Sequence, residues 1–156
     1  MGIKPMFESG AVAAKVMAFQ TNLYKATEFL LKYLGEELAK YAKDNHNYTD
    51  QTGNLTNSIG YAVVRNKEIV YYGGENQPGE GFQEALKVAQ KMAATADETF
   101  SLIIVAGMNY AAYVEAKGYN VILPAELKAK KDFPEAMNRL MEMARNKANE
   151  LFGTSL

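Results

Sequence analysis

The chain has 156 residues, 48% of them hydrophobic, which suits one domain with a real core and is too apolar for a disordered tail. Its 17 basic and 18 acidic residues leave a net charge of −1, so the sequence carries no basic footprint of a nucleic-acid reader, and self-association meets little repulsion. With no cysteine, disulfides, thiolate metal sites and cysteine nucleophiles are excluded, and a single histidine, His46, excludes any site built on two.

Residues 1–10 lack the basic and apolar regions of a secretory signal, and the longest apolar run, 102–107, is strand-sized rather than the roughly 20 residues of a membrane span. The expectation is one domain over 1–156, structured from about 12 to 152, with flexible ends at 1–10 and 153–156. It is expected to be made in the cytoplasm, with no membrane contact.

Residues 12–43 predict a helix. Val16, Phe19, Leu23, Leu30, Leu34, Leu38 and Tyr41 recur in steps of three, four or seven, while Lys25, Glu28, Lys32, Glu36 and Lys40 mark the opposite face. A straight helix of that span is about 48 Å long, whereas a compact domain of this size is roughly 40 Å across. The helix therefore bends, most cheaply at Gly35, or it overhangs the domain and leaves an apolar stripe for a neighbouring subunit.

Residues 44–54 have loop composition. Leu55, Ile59, Tyr61 and Val63 then line one face of a strand, and Asn66–Lys67 makes a tight turn into a second strand at 69–72. Four glycines and Pro78 make 73–81 a flexible excursion. Phe82, Leu86, Ala89, Met92 or Ala93, and Ala96 mark a short helix, followed by a buried strand at 100–106. Residues 110–115 read equally as a helical turn or a strand, and a turn at Gly118 and Asn120 leads into a short extended piece at 121–123. Asp132 and Glu135 have capping-box spacing with Pro134 in a first turn, so the last helix is expected to start at Asp132 and stop at Gly153. The sum is an α+β fold: a small, mainly antiparallel sheet of a β-hairpin and one or two further strands. A long N-terminal, a short middle and a C-terminal helix pack on it.

Chemistry-bearing motifs are sparse. His46 lies in a polar loop beside Asp44 and Asp50 that lacks the order of an EF-hand. Gly79 and Gly81 stand where a phosphate cradle would, but Glu84 replaces the third glycine and no G-K-S/T follows. The carboxylate pairs Glu36–Glu37 and Glu80–Glu84 read as solvated faces, and no G-x-S-x-G occurs. No catalytic residue, cofactor or metal is expected. Of the ten tyrosines, Tyr71, Tyr72, Tyr110, Tyr113 and Tyr119 fall in the sheet region, where they suit a core edge or an interface.

Two segments carry a resemblance. The first runs Thr52-Gly53-Asn54-Leu55-Thr56-Asn57-Ser58-Ile59-Gly60-Tyr61, and the second Val105-Ala106-Gly107-Met108-Asn109-Tyr110-Ala111-Ala112-Tyr113-Val114-Glu115 with Gly118 close behind. With a long helix before and a terminal helix after, they resemble the head–tail joining and tail-completion (neck) proteins of long-tailed bacteriophages, the gene-ten-like family of lambdoid phages. Thr56 stands where that family commonly has a basic residue, and Ala116 and Lys117 intervene before the glycine.

The resemblance implies a non-enzymatic phage or prophage structural protein, made in the bacterial cytoplasm and built into the virion. It implies a ring, possibly a hexamer, that contacts other head-completion or tail proteins without reading nucleic-acid sequence. Thr52, Gly53, Leu55, Ser58, Ile59, Tyr110, Tyr113, Glu115 and Gly118 are then structural or interface residues, and Gln77 and Phe82 are candidate contacts to a neighbouring subunit. The alternatives are a small nucleotide- or ligand-binding α/β enzyme using the 73–81 loop, and a bacterial protein-interaction module.

Overall fold

The computed structural model describes residues 9–45, 58–74, 80–107 and 123–153. The elements are α1 (Ser9–Asp44), β1 (Ile59–Arg65), β2 (Glu68–Gly73), α2 (Glu80–Ala94), β3 (Phe100–Ala106) and α3 (Leu123–Phe152). The fold is α+β, with three helices on a three-stranded antiparallel sheet ordered β2-β1-β3.

Asn66 and Lys67 both take positive φ, 52° and 67°, the pair of values a two-residue hairpin turn needs to match strand twist. The hairpin register runs from Arg65 opposite Glu68 to Tyr61 opposite Gly73, with a bulge between Val63 and Val64. On the other side β3 pairs with β1 over its full length, from Ile59 opposite Ala106 to Arg65 opposite Phe100.

β1 is central, so its alternate side chains are buried on two faces. Ile59, Tyr61 and Val63 point to Leu31, Leu34 and Leu38 of α1 and Ala125 of α3. Ala62 and Val64, with Ile103 and Val105 of β3, point to Ala85, Ala89 and Ala93 of α2. The three alanines, four apart, form a shallow ridge that lets α2 lie close to the sheet. Closest of all is Gly107, where an added Cβ would stand 2.6 Å from the Ala85 Cβ and nearer still to its backbone.

Several expectations are corrected. Gly35 does not interrupt α1, which runs unbroken for 36 residues. It is instead a place of close approach: a Cβ there would stand 2.6 Å from Cγ and Cε2 of the fully buried Tyr61 ring. The last helix begins at Leu123, not Asp132, so Pro134 lies inside it and Asp132 pairs with Lys128 at 2.5 Å instead of capping. Ser9 and Gly10 are already helical, and β1 starts at Ile59, with Leu55 outside the described residues. β3 is an edge strand in which Ile103 and Val105 are buried and the rest half-buried. In α2 it is Ala93, not the exposed Met92, that faces the sheet.

Candidate assembly surface

α1 lies across β1 with Gly35 against Tyr61, the Ala39 side chain close to Gly74 at one end, and Tyr24 against Phe100 and Arg65 at the other. Phe100 opens β3 and Arg65 closes β1, so the sheet ends beside Tyr24. The 15 residues 9–23 project past it, about 22 Å of helix. This is the overhang foreseen as one of two options for a helix too long for its domain.

α3 runs beside α1 in the opposite direction. Lys128 sits over the Tyr41 ring at one end, and Phe19 meets Phe152 edge-on, ring centres 5.9 Å apart, at the other. Between them Leu23 and Ala26 face Leu140 and Ala144 across a groove of about 390 Å³. The projecting parts of α1 and α3 thus form a two-helix stalk.

Two helices cannot enclose a core. None of residues 10–30 is fully buried, whereas Leu31, Leu34, Gly35, Leu38, Ala39 and Ala42 all are. Large apolar side chains of the stalk are left in solvent: Met17 is 66% exposed and Met143 67%, with Val16 and Met141 also exposed; Phe29, 74% exposed, lies on the part of α1 beside the sheet. Scattered single apolar residues are ordinary on a surface, but a concentration of this kind on a projecting element marks a surface that another molecule covers.

The stalk is also poor in negative charge. Residues 9–27 carry Lys15 and Lys25 and no acid, and residues 138–152 carry Arg139, Arg145 and Lys147 against Glu142 and Glu150. The remainder of the chain is therefore net acidic.

The root of the stalk carries an aromatic cluster. The Arg65 guanidinium lies 4.1 Å from the centre of the Tyr24 ring, and that ring stands 6.0 Å from Phe100. A cation over a tyrosine face is stabilised by the ring's negative π cloud, by about 0.5–1 kcal/mol where water reaches it. On the β2 side Lys32 covers Tyr71 in the same way at 4.4 Å while pairing with Glu28 at 3.3 Å.

Ionisable groups with displaced pKa values are few and move away from reactivity. Burial, then the hydrogen bond its hydroxyl donates to Glu36 at 2.8 Å, holds the Tyr61 phenol well above its usual range. The Glu37 carboxylate beside Tyr33 raises that phenol, and the hydrogen bond to Asp132 raises the Lys128 ammonium. A raised tyrosine or lysine is harder to deprotonate at neutral pH, which is the reverse of what a general base requires. Among the described residues no three His, Asp or Glu side chains come together as a metal site would need, and no helix is long and apolar enough to cross a membrane.

Of the residues singled out in the sequence, Ser58 and Ile59 are buried at the start of β1. The Ser58 hydroxyl accepts a hydrogen bond from the Gly107 amide at 3.1 Å and so pins the start of β1 to the end of β3. Phe82 is not in a loop; it sits in the first turn of α2, half-buried, with its ring edge-on to Tyr72 at 5.7 Å. Thr52, Gly53, Leu55, Gln77, Tyr110, Tyr113, Glu115 and Gly118 lie outside the described residues, as do His46 and Gly79.

Sequence reasoning missed Met17, Tyr24 and Phe29. Its single apolar stripe mixed two faces of α1, one toward α3 (Phe19, Leu23) and one toward the sheet (Leu34, Leu38). It also placed Val16 and Tyr41 on that stripe, and both are exposed. The signal that was available is a strict seven-residue series, Gly10, Met17, Tyr24, Leu31, Leu38, on the sheet-facing side. No protein family, curated protein or solved structure matches this chain.

Proposed function

We propose that the chain is a non-enzymatic structural component of a phage or prophage, acting in head–tail joining or tail completion by assembling with further copies of itself into a ring. The observation that carries this reading is the stalk: a projecting pair of helices whose apolar side chains have too few partners within one subunit. An exposed apolar surface of this kind marks an interaction site, and leaving it bare costs solubility. The resemblance of residues 52–61 and 105–118 to the neck proteins of long-tailed phages supplies the kind of assembly, and the near-neutral net charge supports close packing of like subunits. In this reading the protein is made in the bacterial cytoplasm and ends in the virion, in contact with head-completion or tail proteins.

The test is to express the chain with a tag in a host carrying its own head and tail genes. Purified virions are then probed for it, and concentrated protein is imaged by negative-stain electron microscopy. Closed rings and a virion-associated band support the reading. Tag-free virions, together with turnover of a small molecule by the purified chain, would refute it.

A further inference from the structure

β3 (Phe100–Ala106) is an outer strand of the sheet, and among the described residues β1 is its only strand partner. On its free side alternate backbone N–H and C=O groups face no second ladder. Proteins blunt such an edge with charge, proline or a bulge, or they cover it. β2, the opposite edge, is blunted: it carries Glu68, and its pairing with β1 is bulged. β3 has none of these devices. Its seven residues hold no charge and no proline, and its register with β1 is regular from end to end.

Beside β3 runs a groove of about 510 Å³, within the size range of ligand sites. Leu38 of α1, Leu102 and Ile104 of β3, and Ala129, Phe133 and Pro134 of α3 line it. Its two charged lining residues, Glu126 and Lys130, pair with each other at 3.2 Å and leave the walls apolar. A free strand edge with an apolar helix wall alongside is the geometry that takes up an extended segment. Main-chain hydrogen bonds then supply affinity, and alternate side chains enter the groove.

The N-terminal arm has the pattern for that place. Ile3, Pro5 and Phe7 alternate with Lys4, Met6 and Glu8, so in an extended strand the first three share one side and the charges lie on the other. Proline is tolerated there, because an outermost strand turns alternate amides to solvent.

The arm's own subunit is not the acceptor. Ser9 opens α1, and the unbroken helix from Ser9 to Leu38 is about 44 Å long. From Ile3 to Ser9 an extended chain spans at most roughly 21 Å. The stalk holds the arm out of reach of its own groove and within reach of the next copy's. We propose that the groove beside β3 receives residues 3–7 of a neighbouring copy, which pair with β3 as a fourth strand. This rests on the self-assembly proposed above and names the contact that performs it. The contact is heterologous: each copy gives one arm and accepts another, so a closed ring holds every copy twice.

Because the chain has no cysteine, introduced cysteines report only on the residues chosen. Full chains carrying Phe7→Cys are mixed with differently tagged chains carrying Ala129→Cys or Val88→Cys, and oxidised with copper phenanthroline and dissolved oxygen. Val88 is the control, exposed on α2, which packs against the opposite face of the sheet. Wild type and Phe7→Asp are compared by sedimentation velocity up to roughly 0.5 mM, a range that covers weak association. Residue 7 precedes the first helix, so Phe7→Asp should leave the circular dichroism unchanged.

The expected result is a mixed disulfide between residues 7 and 129 and none between 7 and 88. Wild type should form assemblies larger than a dimer, and Phe7→Asp should sediment as a monomer. Three results would overturn the proposal: a wild type that stays monomeric throughout, assemblies that Phe7→Asp leaves intact, or cross-linking to residue 88 as readily as to 129. Should Ala129→Cys fail to fold, Phe133→Cys on the same wall takes its place. Rings that form without Phe7 sink this proposal and spare the virion reading; a Phe7–Ala129 contact in a chain that never enters virions does the reverse.

Discussion

Replacing Gly35 by alanine separates two accounts of the long helix by the sign of the effect. If Gly35 were only a soft point in α1, alanine would add helix propensity and stabilise the protein by about 1 kcal/mol. In the structure an added Cβ meets the Tyr61 ring, 2.6 Å from two of its carbons and closer to a third. Contacts that short do not persist, so the ring or the helix must move.

Tyr61 is fully buried, its hydroxyl is held by Glu36, and its other face meets Tyr71 at 5.9 Å, so it has no free direction. Overpacking of this kind costs about 1–3 kcal/mol, and a displaced hydroxyl loses a further hydrogen bond of about 1 kcal/mol. Set against the propensity gain, the net loss is about 1–3 kcal/mol, or a fall in Tm of roughly 3–10 °C for a chain of this length. Urea titration followed by circular dichroism at 222 nm measures it. Adding Tyr61→Leu should recover part of the loss, with a coupling above about 1 kcal/mol. A Gly35→Ala chain more stable than wild type would refute the reasoning.

Three further outcomes follow from particular contacts. Tyr61→Phe should cost about 1 kcal/mol near pH 7 through the lost bond to Glu36. Because the folded phenol holds its proton above pH 10 while the unfolded one releases it, Tyr61 makes stability fall as pH rises through that range; the fall should be shallower in Tyr61→Phe, compared with wild type by urea midpoints from pH 8 to 11. Pro134→Ala should raise stability by about 1–3 kcal/mol, since it restores an interior amide to a helix that began eleven residues earlier. An unchanged midpoint would mean that the helix starts at Asp132 after all. Phe152→Ala removes the ring that clamps Phe19 at the stalk tip. Amides at 10–20 should exchange faster, while the global Tm moves by only a few degrees because the tip is remote from the sheet.

The parts of the fold legible in the sequence are those whose signals are local. Asn66 and Lys67 announced a turn because positive φ is costly for most residues, and both adopt it. Ala89 and the short helix around it were readable from spacing, as was the alternation of Ile59, Tyr61 and Val63. The start of α3 was misread because two prolines competed. Asp132, Pro134 and Glu135 imitate a helix start, while Pro124 with Glu126 in the first turn marks the true one.

Gly35 and Gly107 could not be understood from the sequence, since their reason lies in the Tyr61 ring and in Ala85, each more than 20 residues away. The stalk was half-legible. The length of α1 foretold an overhang, but which of its apolar residues would find a partner depends on where the sheet ends and where α3 lies. Met17 and Phe29 look as suited to a core as Leu31 does, and only the fold separates them.

The claim that the stalk is a surface for association is tested most directly by hydrogen–deuterium exchange of the α1 amides at two protein concentrations, about 1 µM and about 200 µM, spanning weak association. The account predicts that exchange at 10–24 slows at the higher concentration while α2 exchanges at the same rate in both. Exchange at 10–24 that is identical at the two concentrations, in a chain otherwise folded, would contradict it.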